Sequence, residues 1–278
     1  MTPEEFSYLA DFLKKESGLI INENKVYLVE SRLLPIARDL GLENLSELIA
    51  KMRANGPASL LDQITEAMTT NESFFFRDKT PFTILEETVL PAMLQSRSAA
   101  RRLRIWCAAA STGQEPYSIA MILKEWEAKF SGWKTDIVGT DLSADVLRRA
   151  KLGKYTQFEV QRGLPIQLMV KYFKQEGNDW EISSDLRAMV QYRKFNLLDS
   201  FSAMGKFDVI FCRNVLIYFD QETKAEILER IVQVLSPDGY LFLGAAETVI
   251  GITDTFKPVA GQRGLYIPAA QLKRAAVA

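Results

Sequence analysis

Up to Met68 the apolar residues recur at helical spacing. From Glu4 to Glu16, Phe6, Leu9, Phe12 and Leu13 share one face and Gly18 marks the stop, which predicts a helix. A second helix is expected from Asn22 to Leu40, with Val26, Leu28, Val29, Leu33 and Ile36 apolar and with Pro35 bending or breaking it. Two shorter helices, Leu45–Arg53 and Ser59–Met68, follow on either side of Asn55-Gly56-Pro57. No alternating run interrupts them, so residues 1–68 read as a small helical bundle. Residues 69–90 read as a connector, in which Thr69–Arg77 leads into a helix from Pro81 to Gln95.

From Leu103 the period changes. Short apolar runs, Leu103–Ala108, Asp136–Thr140, Val190–Phe195, Phe207–Cys212 and Tyr240–Ala245, read as strands. Between them lie amphipathic stretches, Tyr117–Phe130, Ala144–Leu152 and Gln221–Leu235, the last stopped by Ser236-Pro237-Asp238-Gly239. This alternation predicts an α/β domain over residues 91–278, with a mostly parallel sheet covered on both faces. Phe256–Pro258 and Gly264–Ile267 are short enough for an antiparallel edge. Residues 154–190 break the alternation. Lys154–Tyr172 looks helical or irregular, while Trp180-Glu-Ile and Met189-Val-Gln-Tyr suggest a small sheet inserted around Gly177-Asn178. The one compositional bias is the alanine-rich tail.

Composition narrows the chemistry. A chain of 278 residues can bury the cores of one large domain and a smaller one. A net charge of −1 gives no general attraction to nucleic acid or to an anionic membrane. No apolar run approaches the ~18 residues of a membrane span. Met1-Thr-Pro-Glu-Glu-Phe lacks the basic-then-apolar pattern of a leader, so a cytoplasmic protein is expected. Cys107 and Cys212 both sit in strand-like runs and read as buried free thiols. The chain contains no histidine. Ser-His-Asp and Cys-His nucleophiles, histidine metal triads and imidazole acid–base catalysis are therefore excluded, and two cysteines make no structural zinc site.

The most informative stretch is the junction after the first expected strand, Ala108-Ala-Ala-Ser-Thr-Gly113, followed by Glu115 and Pro116 opening a helix. Small residues between a strand and a helix N-terminus let a ligand lie against bare backbone. With Gly113 alone this is no G-x-G-x-x-G match, and Glu115 would repel a pyrophosphate. A carboxylate there suits a ligand carrying positive charge, such as an aminoacyl sulfonium. Asp141, after the second strand, can accept both hydroxyls of an adenosine ribose or cap the helix that follows. Asn196-Leu197 ends the third strand, where the amide could read an adenine edge or serve a turn. Arg213, Asn214 and Tyr218 leave the fourth strand at its C-terminal end, where open α/β sheets hold ligands. In Thr69-Thr-Asn-Glu-Ser-Phe-Phe-Phe-Arg77, three consecutive phenylalanines cannot share one face, so the segment must be covered on more than one side. It reads as an interdomain plug or, with Asn71, Ser73 and Arg77 interleaved, as part of a ligand site.

Thr69–Asp78, Ser111–Ser118 and Cys212–Asp220, supported by Arg162–Pro165, Asn196–Leu198 and Pro237–Gly239, together resemble the CheR family, the chemotaxis receptor glutamate O-methyltransferases. The resemblance runs over nearly the whole chain. It implies a class I S-adenosylmethionine-dependent (Rossmann-like) methyltransferase sheet with an N-terminal helical domain and a small β-subdomain. It further implies that Asn71, Ser73, Arg77, Glu115, Asp141, Asn196, Leu197, Arg213 and Asn214 line the S-adenosylmethionine pocket, with Arg77 and Tyr218 closest to the transferred methyl. Three positions depart from the family pattern. Ala108-Ala109-Ala110 replaces a glycine- and cysteine-bearing turn, Ser73 stands where threonine is common, and Ala245-Ala246 lacks a polar pair.

The implied reaction yields a glutamate methyl ester and S-adenosylhomocysteine. A glutamate with a reference pKa of ~4.3 arrives already ionised, so no general base is needed, in keeping with the absence of histidine. The implied partners are the helical cytoplasmic regions of methyl-accepting chemoreceptors. Lys25 and Arg32, seven apart on the second helix, with Arg38 near its end, form either a docking face for acidic receptor helices or a solvated face. In some members the β-subdomain grips a tethering peptide. Here the loop from Lys174 to Asn178 is short and poor in glycine, which argues against tethering. The alternatives are a non-catalytic S-adenosylmethionine sensor and an O-methyltransferase for another substrate.

Overall fold

The computed structural model describes residues 1–54 and 56–275; Asn55, which opens the expected break, and the last three residues of the alanine-rich tail lie outside them. The chain forms two compact units. One comprises Met1–Thr70 together with Tyr218–Thr223; the other comprises Asn71–Ile217 and resumes at Lys224.

The first unit is helical. Thr2 and Glu5 form a reciprocal capping box at the start of the helix Pro3–Ser17, and Gly18 closes it in the left-handed region at φ 74°. A single 3₁₀ turn, Glu23–Lys25, precedes the helix Val26–Asp39. The expected break at Pro35 does not occur, and the helix continues to Asp39. Pro35 and Ser31 are both exposed, so the carbonyl that loses its N–H partner can be hydrated. Leu45–Arg53, capped by Asn44, and Ala58–Met68 complete the unit around Leu9, Leu13, Val29, Leu33, Leu48 and Ile64.

The second unit opens with a helix spanning the expected Pro81–Gln95, but in three pieces: Thr80–Ile84, a π-helical turn Leu85–Val89, and Leu90–Ser96. The wide turn sits just ahead of Pro91. That ring would otherwise crowd the carbonyl four residues back, and an i→i−5 bond from Leu90 to Leu85 relieves it.

The strands are β1 (Arg102–Cys107), β2 (Lys134–Asp141), β3 (Lys154–Thr156), β4 (Phe173–Glu176), β5 (Asp179–Ile182), β6 (Val190–Lys194), β7 (Phe207–Cys212), β8 (Leu235–Leu243), β9 (Phe256–Pro258) and β10 (Leu265–Pro268). Seven form one sheet in the order β6-β2-β1-β7-β8-β10-β9. The first five run parallel, and β10 and β9 add antiparallel to the edge, as the sequence pattern predicts. Every residue of β7 is buried, as a strand covered on both faces requires.

Two expectations are corrected. Ser236–Gly239 does not separate helix from strand. β8 begins at Leu235 beside Phe207 and bulges before Tyr240 meets Val209. The bulge is held by Asp208, whose Oδ1 accepts from Ser236 Oγ at 3.1 Å and Arg97 Nε at 2.8 Å. Met189–Tyr192 does not join the small sheet. That sheet is β3-β5-β4, turned at Gly177 (φ 63°), while Val190–Tyr192 pairs with β2.

Candidate active site

β1 lies between β2 and β7, so the strand order reverses there and the chain leaves β1 and β7 side by side at their C-terminal ends. Beyond Cys107 the turn is stitched to both neighbours. Ala108 N–H donates to the Phe211 carbonyl (2.8 Å) and Ala110 N–H to the Thr140 carbonyl (2.9 Å). Ser111 adopts φ 49°, and Gly113, at φ 96°, starts the helix Gln114–Glu125. A Cβ on Gly113 would stand 2.7 Å from Tyr192 Oη, and one on Gly139 would stand 3.1 Å from Ala110 Cβ. The three-alanine turn is thus fitted to the layer beneath it by two bare glycines. Tyr155 Oη donates to the Thr112 carbonyl at 2.8 Å and fixes the far side of the turn.

Asp141 is buried at the end of β2. Its Oδ2 accepts the Ser111 N–H at 2.9 Å and its Oδ1 the Ser143 N–H at 3.0 Å. Ser143, not Asp141, caps the helix Ala144–Leu152. Asn196 Oδ1 accepts the Leu198 N–H at 3.0 Å in a local turn; Leu197 is buried, and its carbonyl and that of Leu198 accept from Arg230. Phe195 N–H donates to the Asp141 carbonyl at 2.9 Å, which brings the two strand ends together.

The segment from Asn71 runs across this edge. Ser111 Oγ donates to the Asn71 carbonyl (2.7 Å), and Phe76 N–H donates to Ser118 Oγ (3.0 Å). The three phenylalanines do face different surroundings. Phe75 meets Tyr155 and Phe173 edge-on, Phe76 meets Phe82, and the Phe74 ring has the guanidinium groups of both Arg77 and Arg162 near it. Ser73 is half-buried beside them. Phe76, Asp78 and Lys79 all have positive φ (51°, 68° and 49°), a strained run that its surroundings must hold in place.

Arg213 supplies much of that hold. Only 1% of its side chain is exposed, and it donates to Glu115 Oε2 at 2.7 Å, to Asp78 Oδ2 at 2.8 Å and to the Arg77 carbonyl at 2.9 Å. Its Nε is buried with no hydrogen-bond partner among the described residues. Burial pushes the Glu115 carboxyl up, and Arg213 opposes that shift. Cys107 and Cys212 are free and buried, with burial raising both thiols well above their ordinary range.

Sequence reasoning missed Glu247. This buried carboxylate accepts four backbone N–H groups, from Asn214, Val215, Leu216 and Gly244, at 2.6–2.9 Å. It thereby holds Asn214 at φ 58°. The available signal was an acidic residue just past a strand's C-terminal end, the same signal that singled out Asp141. Asp78 and Arg162 lie within the motifs that carry the resemblance, yet nothing in the sequence marks either as part of the site.

The expected cofactor residues all belong to the second unit, and Tyr218 to the first. There the Tyr218 carbonyl accepts the Ile20 N–H at 3.0 Å, and Asp220 pairs with Lys14 at 2.8 Å. Arg32 does not extend outward with Lys25. Its guanidinium turns onto the Met68 and Thr69 carbonyls and Thr70 Oγ1, so the basic face, whether docking or solvated, loses a member. Lys25 and Arg38 are exposed.

The donor set fits a cationic aminoacyl ligand. Glu115 and Asp78 share the Arg213 guanidinium, two carboxylates on one cation beside the first turn. Residues 71–265 match the family model for the CheR methyltransferase SAM-binding domain, and residues 4–69 match the CheR methyltransferase all-alpha domain. The chain is 42% identical to chemotaxis protein methyltransferase Cher2 of Pseudomonas putida, over 95% of this chain and 98% of the relative. It is 41% identical to chemotaxis protein methyltransferase 1 of Pseudomonas aeruginosa (94% and 96% covered) and 38% identical to a chemotaxis protein methyltransferase of Vibrio parahaemolyticus (95% and 96%). With a charge-matched first turn, both domains in order and relatives of matching length, the chain belongs to the CheR family of S-adenosylmethionine-dependent methyltransferases.

Proposed function

We propose that this methyltransferase acts in the cytoplasm on glutamate carboxylates in the helical cytoplasmic regions of chemoreceptors, in chemotactic adaptation. The observation that carries this reading is the pair of carboxylates, Glu115 and Asp78, on the single buried Arg213 at a site in a chain without histidine, beside relatives named as chemotaxis protein methyltransferases. When bound, S-adenosylmethionine supplies a methyl group on a positive sulfur; displacement by a carboxylate oxygen forms the ester C–O bond and leaves the broken bond's electron pair on sulfur, with no proton to move.

The chain's own work is positioning and desolvation, which supplies ~7–11 kcal/mol in favourable cases. In this reading Asp141 takes the ribose hydroxyls while keeping the Ser111 turn in place. Asn196 and Leu197 meet the adenine, and Asn71, Ser73, Glu115, Arg213 and Asn214 complete the cofactor contacts. Arg77 orients a carboxylate at the methyl, and Tyr218 hydrogen-bonds the nucleophile. The half-buried Arg77 donates from Nη1 to the Glu72 carbonyl (2.9 Å), and among the described residues its other donors are available for such an anion, which supports its role.

The test is to incubate the protein with methyl-labelled S-adenosylmethionine and chemoreceptor-containing membranes. Alkali-labile label on the receptor is expected, with loss in Arg77→Ala and Asp141→Ala variants that remain folded. Cofactor binding without receptor label would shift the reading to a sensor or to another acceptor.

A further inference from the structure

We infer that Arg162, on the inserted segment between β3 and β4, is a positioning residue for Arg77. The inference rests on the reading that Arg77 serves the methyl-transfer site. Arg162 Nη2 donates to Glu72 Oε1 at 2.6 Å, and its Cζ lies 4.4 Å from the Phe74 ring centroid. Arg77 approaches the same ring, at 5.6 Å, and donates from Nη1 to the Glu72 carbonyl. One residue, Glu72, thus joins the two arginines: its side chain takes one and its backbone takes the other. The Glu72 carboxyl is held below its ordinary range, chiefly by Arg162.

Gly163 shows that this contact is built into the backbone. At φ 87°, a Cβ there would lie 2.1 Å from the Phe75 carbonyl oxygen and 3.1 Å from Phe74 Cδ2. Only a glycine lets the chain bring Arg162 this close to the segment carrying Arg77. The insertion adds a second anchor below, where Phe75 packs edge-on against Tyr155 of β3 and Phe173 of β4. Its part in the reaction is then to clamp the Arg77 segment.

Arg162 and Glu72 are 40% and 57% exposed at their side chains, so the pair contributes little to stability. Removing it should leave a folded enzyme with a misplaced Arg77, and misplacement of about 1 Å can cost on the order of a hundredfold in rate.

The experiment measures kcat, KM for receptor, S-adenosylmethionine affinity and Tm for Arg162→Ala, Arg162→Lys, Arg77→Lys and the Arg162→Ala/Arg77→Lys double variant. Arg162→Ala should lower kcat about tenfold or more, with KM and Tm nearly unchanged. Arg162→Lys, which keeps the charge on Glu72, should recover part of the loss. The double variant should be little worse than Arg77→Lys alone, because Arg162 acts through Arg77. A KM effect alone would mean that Arg162 touches the receptor, multiplicative losses would mean that it acts separately, and a matching fall in Tm would make it structural; each overturns the inference. If Arg77→Lys and Arg77→Ala both keep full rate, the reading of Arg77 itself fails, whatever Arg162 does.

Discussion

Two arginines from different elements hold residues 71–79 by the same chemistry. Arg213 reaches Asp78 and the Arg77 carbonyl from within the sheet domain, with 1% of its side chain exposed. Arg162 reaches Glu72 from the inserted segment, at 40% exposure. Their shortest contacts are 2.7 and 2.6 Å, so bond length does not distinguish them. Solvent does. A buried guanidinium has given up its hydration, and removing it or either partner leaves an uncompensated group behind. An exposed one gives up little, so its loss is felt mainly in geometry. A short ion pair beside a reactive segment therefore predicts stability in one case and rate in the other.

The largest effect expected to sharpen that contrast is Arg213→Ala. It strands Glu115 and Asp78, should cost about 3–5 kcal/mol in denaturant unfolding and should abolish cofactor binding. A loss below ~1 kcal/mol would remove the distinction between the inner and outer holds. Gly163→Ala comes next. A methyl group 2.1 Å from the Phe75 oxygen, on a backbone with φ 87°, should cost about 3 kcal/mol, whereas the neighbouring Arg162→Ala should not; unfolding curves of the two variants test this.

Glu247→Gln should be milder, about 1–3 kcal/mol. The amide keeps one acceptor oxygen, but its NH2 group faces N–H donors formerly taken by carboxylate. Hydrogen exchange at Asn214, Val215 and Leu216 should speed up, and unchanged exchange would show that the turn holds itself.

The smallest effect is expected for Lys14→Met, which breaks a pair of an exposed lysine and a half-buried aspartate far along the chain from the clamp. Asp220 is held at about 2, first by Lys14 and then by the Thr223 N–H. A carboxyl depressed in the folded state adds stability above its unfolded pKa of about 3.9, lost as pH falls through the folded value. The window therefore lies between about 4 and about 2. Without Lys14 the Asp220 titration should move up toward its ordinary range in a carboxyl NMR titration while stability at neutral pH hardly changes. A large neutral-pH loss would mean that exposed pairs matter more here than the comparison allows.

Much of the fold was legible in the sequence because periodicity reports local geometry. Leu45–Arg53, Ala144–Leu152 and Phe207–Cys212 begin and end where their patterns predict. Errors arose where a non-local partner decides. Ser236–Gly239 has turn chemistry, yet Asp208 and Arg97 hold it as a bulge in β8, and Val190–Tyr192 was claimed by β2 rather than by the small sheet. Arg32 shares a helix face with exposed residues by spacing, but its long side chain turns back to three oxygens at the end of a helix more than thirty residues later.

By itself the sequence determined the helical bundle followed by alternating strands and helices, the exclusion of imidazole chemistry, and the polar residues stationed at strand ends. These depend on residue type and near neighbours. Only the tertiary structure decided that Glu115 shares Arg213 with Asp78, that Glu247 gathers four amides, and that Arg162 and Arg77 meet through Glu72. Those contacts join positions as much as 135 residues apart, and no local pattern records which distant group will meet a side chain once the sheet has closed.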